Sequence, residues 1–268
     1  MEVLKNREIE SFINMCDDAW KLGWHESNGG NASHRLTAET VENIKENFKQ
    51  IRSYELGVEV PNIANEYFLI TGSGCQFRNM RRYPEEVFGI IQINSDGTGY
   101  DLVWGLTAGA NPTMETSTHL LTHNVGKLRG NRSLLHSHPI AINSLTFLLE
   151  PESSVYTKIL WAMITECSVV FPEGVEIIDW MVCGSDEIGI ESSKKMEACN
   201  VVIWPHHGIF ATAESCDHAI GLIHTIEKAA TMYLNVISAG KMKNSIGLDE
   251  VTALSEAFGF DFDKSIYE

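Results

Sequence analysis

The chain has 268 residues, 44% of them hydrophobic, ample for a sizeable core. Its formal net charge of −16 excludes the basic face that nucleic acid or an anionic membrane requires of a partner. No apolar run approaches the roughly 18 residues of a spanning helix. Met1 to Arg7 also lacks the apolar stretch of a signal peptide, so a cytoplasmic location is expected.

In chain order, Ile9, Phe12, Ile13, Cys16 and Trp20 fall at helical spacing and give an opening helix that ends near Gly23. A polar glycine loop follows, Asn28-Gly29-Gly30-Asn31-Ala32-Ser33. Glu42 to Ile51 is read as a second helix and Tyr67 to Ile70 as a strand that runs into a second loop, Thr71-Gly72-Ser73-Gly74. Gly89 to Ile93 and Tyr100 to Trp104 form a hairpin about Asp96-Gly97. Thr113 is placed as the cap of a helix beginning at Met114, with Glu115 in its first turn. Leu145 to Leu149 reads as helix, Cys167 to Phe171 as strand, and Ser185-Asp186-Glu187 as a helix start. Asn200 to Trp204 and Ile209 to Thr212 read as strands, and Asp217 to Ala239 as a long helix. There is no linker, repeat or regular βαβ alternation, so one domain spanning 1–268 is expected, with a mainly antiparallel sheet covered by helices. The cysteines Cys16, Cys75, Cys167, Cys183, Cys199 and Cys216 form no C-x-x-C pair and are read as reduced core residues.

The chemistry concentrates in His136-Ser137-His138. Pro139 disfavours helix just before it, and on an extended segment residues i and i+2 share a face, so the two imidazoles can grip one ion. A third ligand is sought in Pro205-His206-His207-Gly208. His207, beside the glycine at a strand exit, is preferred to His206. Three neutral imidazoles suit zinc and leave a position open for substrate, with Glu115 as an accompanying carboxylate.

Neither glycine loop matches a Walker or dinucleotide-binding pattern. Their short donors, Asn28, Asn31, Ser33, Thr71 and Ser73, lie beside glycines that expose backbone N–H groups, which is what a phosphate needs where lysines are scarce. Arg78, Arg81 and Arg82 follow the second loop and read either as part of it or as solvated surface.

The segments Asn28-Gly29-Gly30-Asn31, Thr71-Gly72-Ser73-Gly74, Asp96-Gly97-Thr98-Gly99-Tyr100, His136-Ser137-His138 and Trp204-Pro205-His206-His207-Gly208, with Glu115, resemble the class II aldolase and adducin superfamily along nearly the whole chain. Trp104-Gly105-Leu106-Thr107, Thr165-Glu166-Cys167 and Asp186-Glu187-Ile188-Gly189 are more particular to its rhamnulose 1-phosphate aldolase branch. The resemblance implies a three-layer α/β/α fold with a central mainly antiparallel sheet, a cyclic homotetramer, and one zinc ion per active site close to a subunit interface. By the same resemblance His136, His138 and His207 are the zinc ligands, Glu115 is the catalytic acid/base, and Asn28, Gly30, Asn31, Ser73, Gly74 and Thr113 bind phosphate. Met114 stands where a second hydroxyl is expected after Thr113. Glu166 is placed in a neighbouring subunit's site, with a surface acid at the start of a strand as the alternative.

The implied reaction is reversible cleavage of L-rhamnulose 1-phosphate to dihydroxyacetone phosphate and L-lactaldehyde. An L-fuculose-1-phosphate aldolase, a pentulose-phosphate epimerase or a dehydratase would share the metal and phosphate sites, whereas an adducin-like interaction module would not need the histidines and Glu115. The pair is not followed by the Asp-x-His of metallo-β-lactamases, and the deaminase P-C-x-x-C is absent.

Overall fold

Alternation of apolar side chains along the strands determines the layering of the molecule, seen here in a computed structural model that describes residues 2–267. In chain order the elements are α1 (Arg7–Lys21), β1 (Asn31–Arg35), α2 (Ala38–Ile44), β2 (Arg52–Glu55), β3 (Tyr67–Thr71), α3 (Pro84–Val87), β4 (Phe88–Ile93), β5 (Gly99–Gly105) and α4 (Thr116–Gly126). They continue as β6 (Ser133–Ser137), α5 (Ile140–Leu145), α6 (Ser153–Trp161), α7 (Glu166–Val170), β7 (Glu176–Ile177), α8 (Asp186–Lys195), β8 (Val201–Trp204), β9 (Gly208–Ala213), α9 (Cys216–Ala239) and α10 (Leu248–Phe258). Short 3-10 turns connect several of them.

The strands form one nine-stranded sheet in the order β2-β5-β4-β3-β1-β6-β9-β8-β7. Its paired strands are antiparallel except β7 with β8. Leu69, Ile90, Leu135, Ile203, Ile209 and Ala211 point to one face, where they pack with Phe12 and Cys16 of α1, Leu160 of α6 and Ile223 and Ile226 of α9. Their neighbours along the strands point the other way. Phe68, Ile70, Ile91 and Leu102 meet Leu120 of α4, and Leu134, Val202 and Phe210 meet Ile188 of α8. The result is the expected α/β/α sandwich, in which each fully buried Leu, Ile or Phe contributes about 1.5–3 kcal/mol. No helix among the described residues is long and apolar enough to cross a membrane.

The opening helix, the hairpin, the helix capped by Ser185 and the long α9 fall where the sequence places them. Other segments differ. The helix expected over Glu42 to Ile51 is α2, which begins at Ala38 behind the Thr37 cap and passes into a 3-10 turn at Lys45–Asn47. The helix read at Leu145 to Leu149 instead runs from Ile140 to Leu145. Pro139 occupies its cap position, and the Glu227 carboxylate of α9 accepts the N–H groups of Ala141 and Ile142 at 2.8 and 2.9 Å. The strand read at Cys167 to Phe171 is the helix α7, whose buried Cys167 and Ser168 pack inward. Asn31-Ala32-Ser33, read as loop, opens the central strand β1. Four of the cysteines are buried as expected, whereas Cys75 is half-buried and Cys183 is exposed.

Candidate active site

Strand β6 delivers the histidine pair. His136 lies opposite Phe210 of β9 on one side and Asn31 of β1 on the other, so it sits in the middle of the sheet. The turn between β8 and β9 supplies His207, whose carbonyl is held by Asn143 of α5 at 2.9 Å. The three Nε2 atoms converge: His136 is 3.2 Å from His138 and 3.3 Å from His207. Side chains that merely packed would keep three lone pairs apart. A tetrahedral ion with bonds of about 2.0–2.1 Å sets its ligand nitrogens about 3.3 Å apart, so the residues fit a bound metal.

The protonation states agree. His136 Nδ1 faces the carbonyl of Ile209 at 3.1 Å and His138 Nδ1 faces Glu26 Oε1 at 2.7 Å, so each donates through Nδ1 and turns an Nε2 lone pair inward. Burial, reinforced by the neighbouring imidazoles, holds His136 well below its ordinary pKa and His207 at about 4. Burial acts to raise the Glu26 carboxyl, but the His138 imidazole outweighs it and keeps it below the usual value. Gly208 makes the convergence possible, because a Cβ there would lie 2.9 Å from His138 Cδ2 and 3.0 Å from His136 Cε1.

His206 points elsewhere. It adopts a left-handed backbone (φ 60), packs tilted against the Phe147 ring at 4.4 Å and meets Thr146 Oγ1 at 3.2 Å. His207, and not His206, is the imidazole brought together with His136 and His138.

Glu115 arrives from the segment before α4, which starts at Thr116 rather than at Met114. A bridge between Gly72 and Pro112, and the bond from Thr113 N to Thr71 O at 2.9 Å, tie that segment to the end of β3. The carboxylate lies 3.8 Å from His136 Nε2 and accepts Asn31 Nδ2 at 2.7 Å. Burial lifts its pKa to about 7, with the Asn31 amide pulling the other way.

One cavity of about 130 Å³ collects Asn28, Gly30, Asn31, Ser73, Gly74, Thr113, Met114, Glu115 and the three histidines. Within it the donors differ from the sequence reading. The carboxamide of Asn31 is engaged by Glu115 and His119. Ser73 N donates to Asn111 O at 2.7 Å, so its backbone N–H is already engaged. Met114 is 72% exposed and forms part of the cavity wall, leaving no hydroxyl there. Arg81 is bound to Asp17 at 2.6 Å and to Asn14, which makes it structural. Glu166 lies away from this cavity, in a surface depression with Ile164, His224 and Lys228.

Several participants gave no local signal. Glu26 precedes the first loop without any motif. His119 and His123, one turn apart on α4, meet Ser33 from more than eighty residues away. Their i, i+4 spacing on a helix facing the sheet was the one available sign.

Comparisons with known proteins agree with this geometry. The Class II Aldolase and Adducin N-terminal domain profile matches residues 10–234. A rhamnulose-1-phosphate aldolase of Yersinia pseudotuberculosis is 40% identical over 260 residues, covering 96% of this chain and 95% of the relative. One from Escherichia coli is 41% identical over 255 residues, covering 94% of this chain and 93% of the relative. Among solved structures, a sugar-phosphate aldolase from Thermotoga maritima aligns with a TM-score of 0.74 at 26% identity, covering 87% of this chain and 97% of that one. The histidine cluster, the buried glutamate and the sheet that carries them thus occur in a chain that belongs to the class II aldolase and adducin family.

Proposed function

We propose that this protein is an aldehyde-lyase that reversibly cleaves L-rhamnulose 1-phosphate to dihydroxyacetone phosphate and L-lactaldehyde, using one zinc ion per subunit. The convergence of three imidazoles, with His136 Nε2 3.2 and 3.3 Å from those of His138 and His207 and the Glu115 carboxylate 3.8 Å from His136 in the same cavity, carries the reading. The resemblance of the full chain to rhamnulose-1-phosphate aldolases supports the substrate. His136, His138 and His207 would hold the ion, which would supply Lewis acidity to the substrate carbonyl. Glu115, buried and lifted toward neutrality, takes a proton from C3 of dihydroxyacetone phosphate in the condensing direction and returns it after cleavage. Asn28, the loop backbone at Gly30 and Gly74, and the hydroxyls of Ser73 and Thr113 hold the phosphate through dipoles. Such binding needs no excess of positive charge in a protein of net charge −16.

The reading extends to a cytoplasmic homotetramer of single-domain subunits in L-rhamnose degradation, with Glu166 reaching a neighbouring subunit's cavity from its surface position. A coupled assay of L-rhamnulose 1-phosphate against L-fuculose 1-phosphate, with metal analysis of the same preparation, tests the substrate and the ion together. Preference for the fuculose ester, or a C4 epimer as the sole product, overturns it. Mixed tetramers of Glu115→Ala and Glu166→Ala subunits test the shared site, because about a quarter of randomly assembled interfaces would contain both intact carboxylates. Absence of recovered activity in verified mixed tetramers rejects the cross-subunit role.

A further inference from the structure

Five buried side chains run in single file from the cavity into the layer between sheet and helix. Asn31 Nδ2 reaches Glu115 Oε2 at 2.7 Å, and Asn31 Oδ1 meets His119 Nε2 at 2.5 Å. His119 Nδ1 meets Ser33 Oγ at 2.7 Å, and Ser33 Oγ meets His123 Nε2 at 2.8 Å. The register explains the alignment: Asn31 and Ser33 alternate onto one face of β1, and His119 and His123 lie one turn apart on α4 above it. Burial drives the pKa of His119 down to about 3 and that of His123 well below its ordinary value, so each ring carries a single proton.

We propose that His119, backed by Ser33 and His123, is a positioning residue that fixes the orientation of the Asn31 amide and so keeps an N–H donor on the acid/base carboxylate. This rests on the role assigned to Glu115 above. An amide has two nearly isosteric ends, and nothing in Asn31 itself selects the one that faces Glu115. The chain selects it. Each junction holds one proton, so the direction at any one of them sets the direction at all.

The far end decides the direction. His123 Nδ1 is buried and has no hydrogen-bond partner among the described residues. If the chain ran outward from Glu115, that nitrogen would carry an orphaned N–H, and buried orphan donors are rarer than buried orphan acceptors. With the chain running inward, Nδ1 is a bare lone pair. His123 Nε2–H then donates to Ser33, the Ser33 hydroxyl donates to His119 Nδ1, and His119 Nε2–H donates to Asn31 Oδ1. The amide N–H is left for Glu115. Reversal would turn Asn31 Oδ1 onto the carboxylate and repel its ionised form. His119 does not itself line the cavity and acts on it only through Asn31; its ring is held edge-on to Phe210 at 5.2 Å.

The test pairs His119→Phe, which keeps the ring packing but removes the donor, with His119→Gln, whose amide nitrogen can replace Nε2. In His119→Phe we expect kcat for ketose 1-phosphate cleavage and the rate of C3 proton exchange in dihydroxyacetone phosphate to fall together about 10–100-fold. KM and metal content should stay within about twofold of the parent, the split expected when only the acid/base step is affected. His119→Gln should recover most of the loss. A normal rate in His119→Phe, or equal losses in both variants, overturns the proposal. Nitrogen-15 NMR of the imidazoles in the unmodified protein gives a second readout that needs no turnover. Nε2–H tautomers at His119 and His123 support the chain, and an Nδ1–H tautomer at either overturns it. If the parent protein cleaves no ketose 1-phosphate, the functional reading fails while the tautomers still decide the direction of the chain.

Discussion

Glu26 Oε1 stands 2.7 Å from His138 Nδ1, which places a carboxylate directly behind one of the three converging imidazoles. It orients the ring and raises the basicity of the nitrogen turned toward the ion. Glu26→Ala should therefore weaken zinc affinity about 10–100-fold while leaving the fold intact. Competition with a chromophoric chelator measures it; an unchanged affinity would reduce Glu26 to an exposed surface acid.

His206 and His207 are adjacent in sequence and opposite in role. His207→Ala should abolish metal binding and cleavage together, because the remaining pair cannot close a three-nitrogen site. His206→Ala should retain both, losing only its contacts with Phe147 and Thr146. Metal analysis of the two purified variants separates them, and the reverse pattern would refute the assignment.

Glu115→Gln keeps the shape of the carboxylate and removes its proton chemistry. The expected loss in rate is on the order of 10²–10⁴-fold, with metal content largely preserved. Near-normal proton exchange at C3 of dihydroxyacetone phosphate in this variant would leave Glu115 with a purely electrostatic role at the start of α4.

Acid stability offers a test that does not involve turnover. Burial holds His25 at about 4 and His119 at about 3, against about 6.5 in an unfolded chain. Their folded values are depressed bases, so the neutral forms are fully compatible with the fold above pH 6.5. As the pH falls below that value the unfolded chain binds protons that the folded one does not. Each such group then removes up to about 1.4 kcal/mol of stability per pH unit, down to its folded pKa. Denaturant midpoints of the metal-free protein between pH 7 and 4.5 should fall steeply, and those of His119→Phe less steeply. Parallel curves would mean that His119 is protonated in the folded state.

Gly208→Ala would force a Cβ to 2.4 Å from the Ser137 carbonyl, a backbone atom that can yield only by moving β6. Both histidines of that strand would move with it. Loss of metal affinity with retained secondary structure by circular dichroism is expected, and full affinity would show that the strands slide apart at little cost.

The sequence made part of this legible and hid the rest for identifiable reasons. His136 and His138 share a face because Pro139 keeps their segment extended, and that rule is local. The long α9 and the β4–β5 hairpin also follow from local pattern and turn chemistry. The helix at Ile140–Leu145 could not be seen so clearly, because its first N–H groups are satisfied by Glu227, eighty-five residues or more away. Ser168-Val169-Val170 has the composition of a strand, yet packing of Cys167 under α9 makes it a helix. Asn31 and Ser33 read as loop donors because their partners lie on α4. A polar run is placed at the centre of a sheet only by side chains distant in sequence.

The cavity is assembled from β1, β6 and the β8–β9 turn, and its defining contacts join residues 71 positions apart between His136 and His207 and 84 apart between Asn31 and Glu115. Such non-local closures come late, since loop entropy opposes them until neighbouring strands have paired. A nascent or partly folded chain therefore presents isolated imidazoles instead of a chelating set. Metal capture then acts as a latch on the completed sheet: an ion bound there draws the last strand pairings toward the native state by its own binding free energy, and refolding yield should rise with metal supply during the slowest phase.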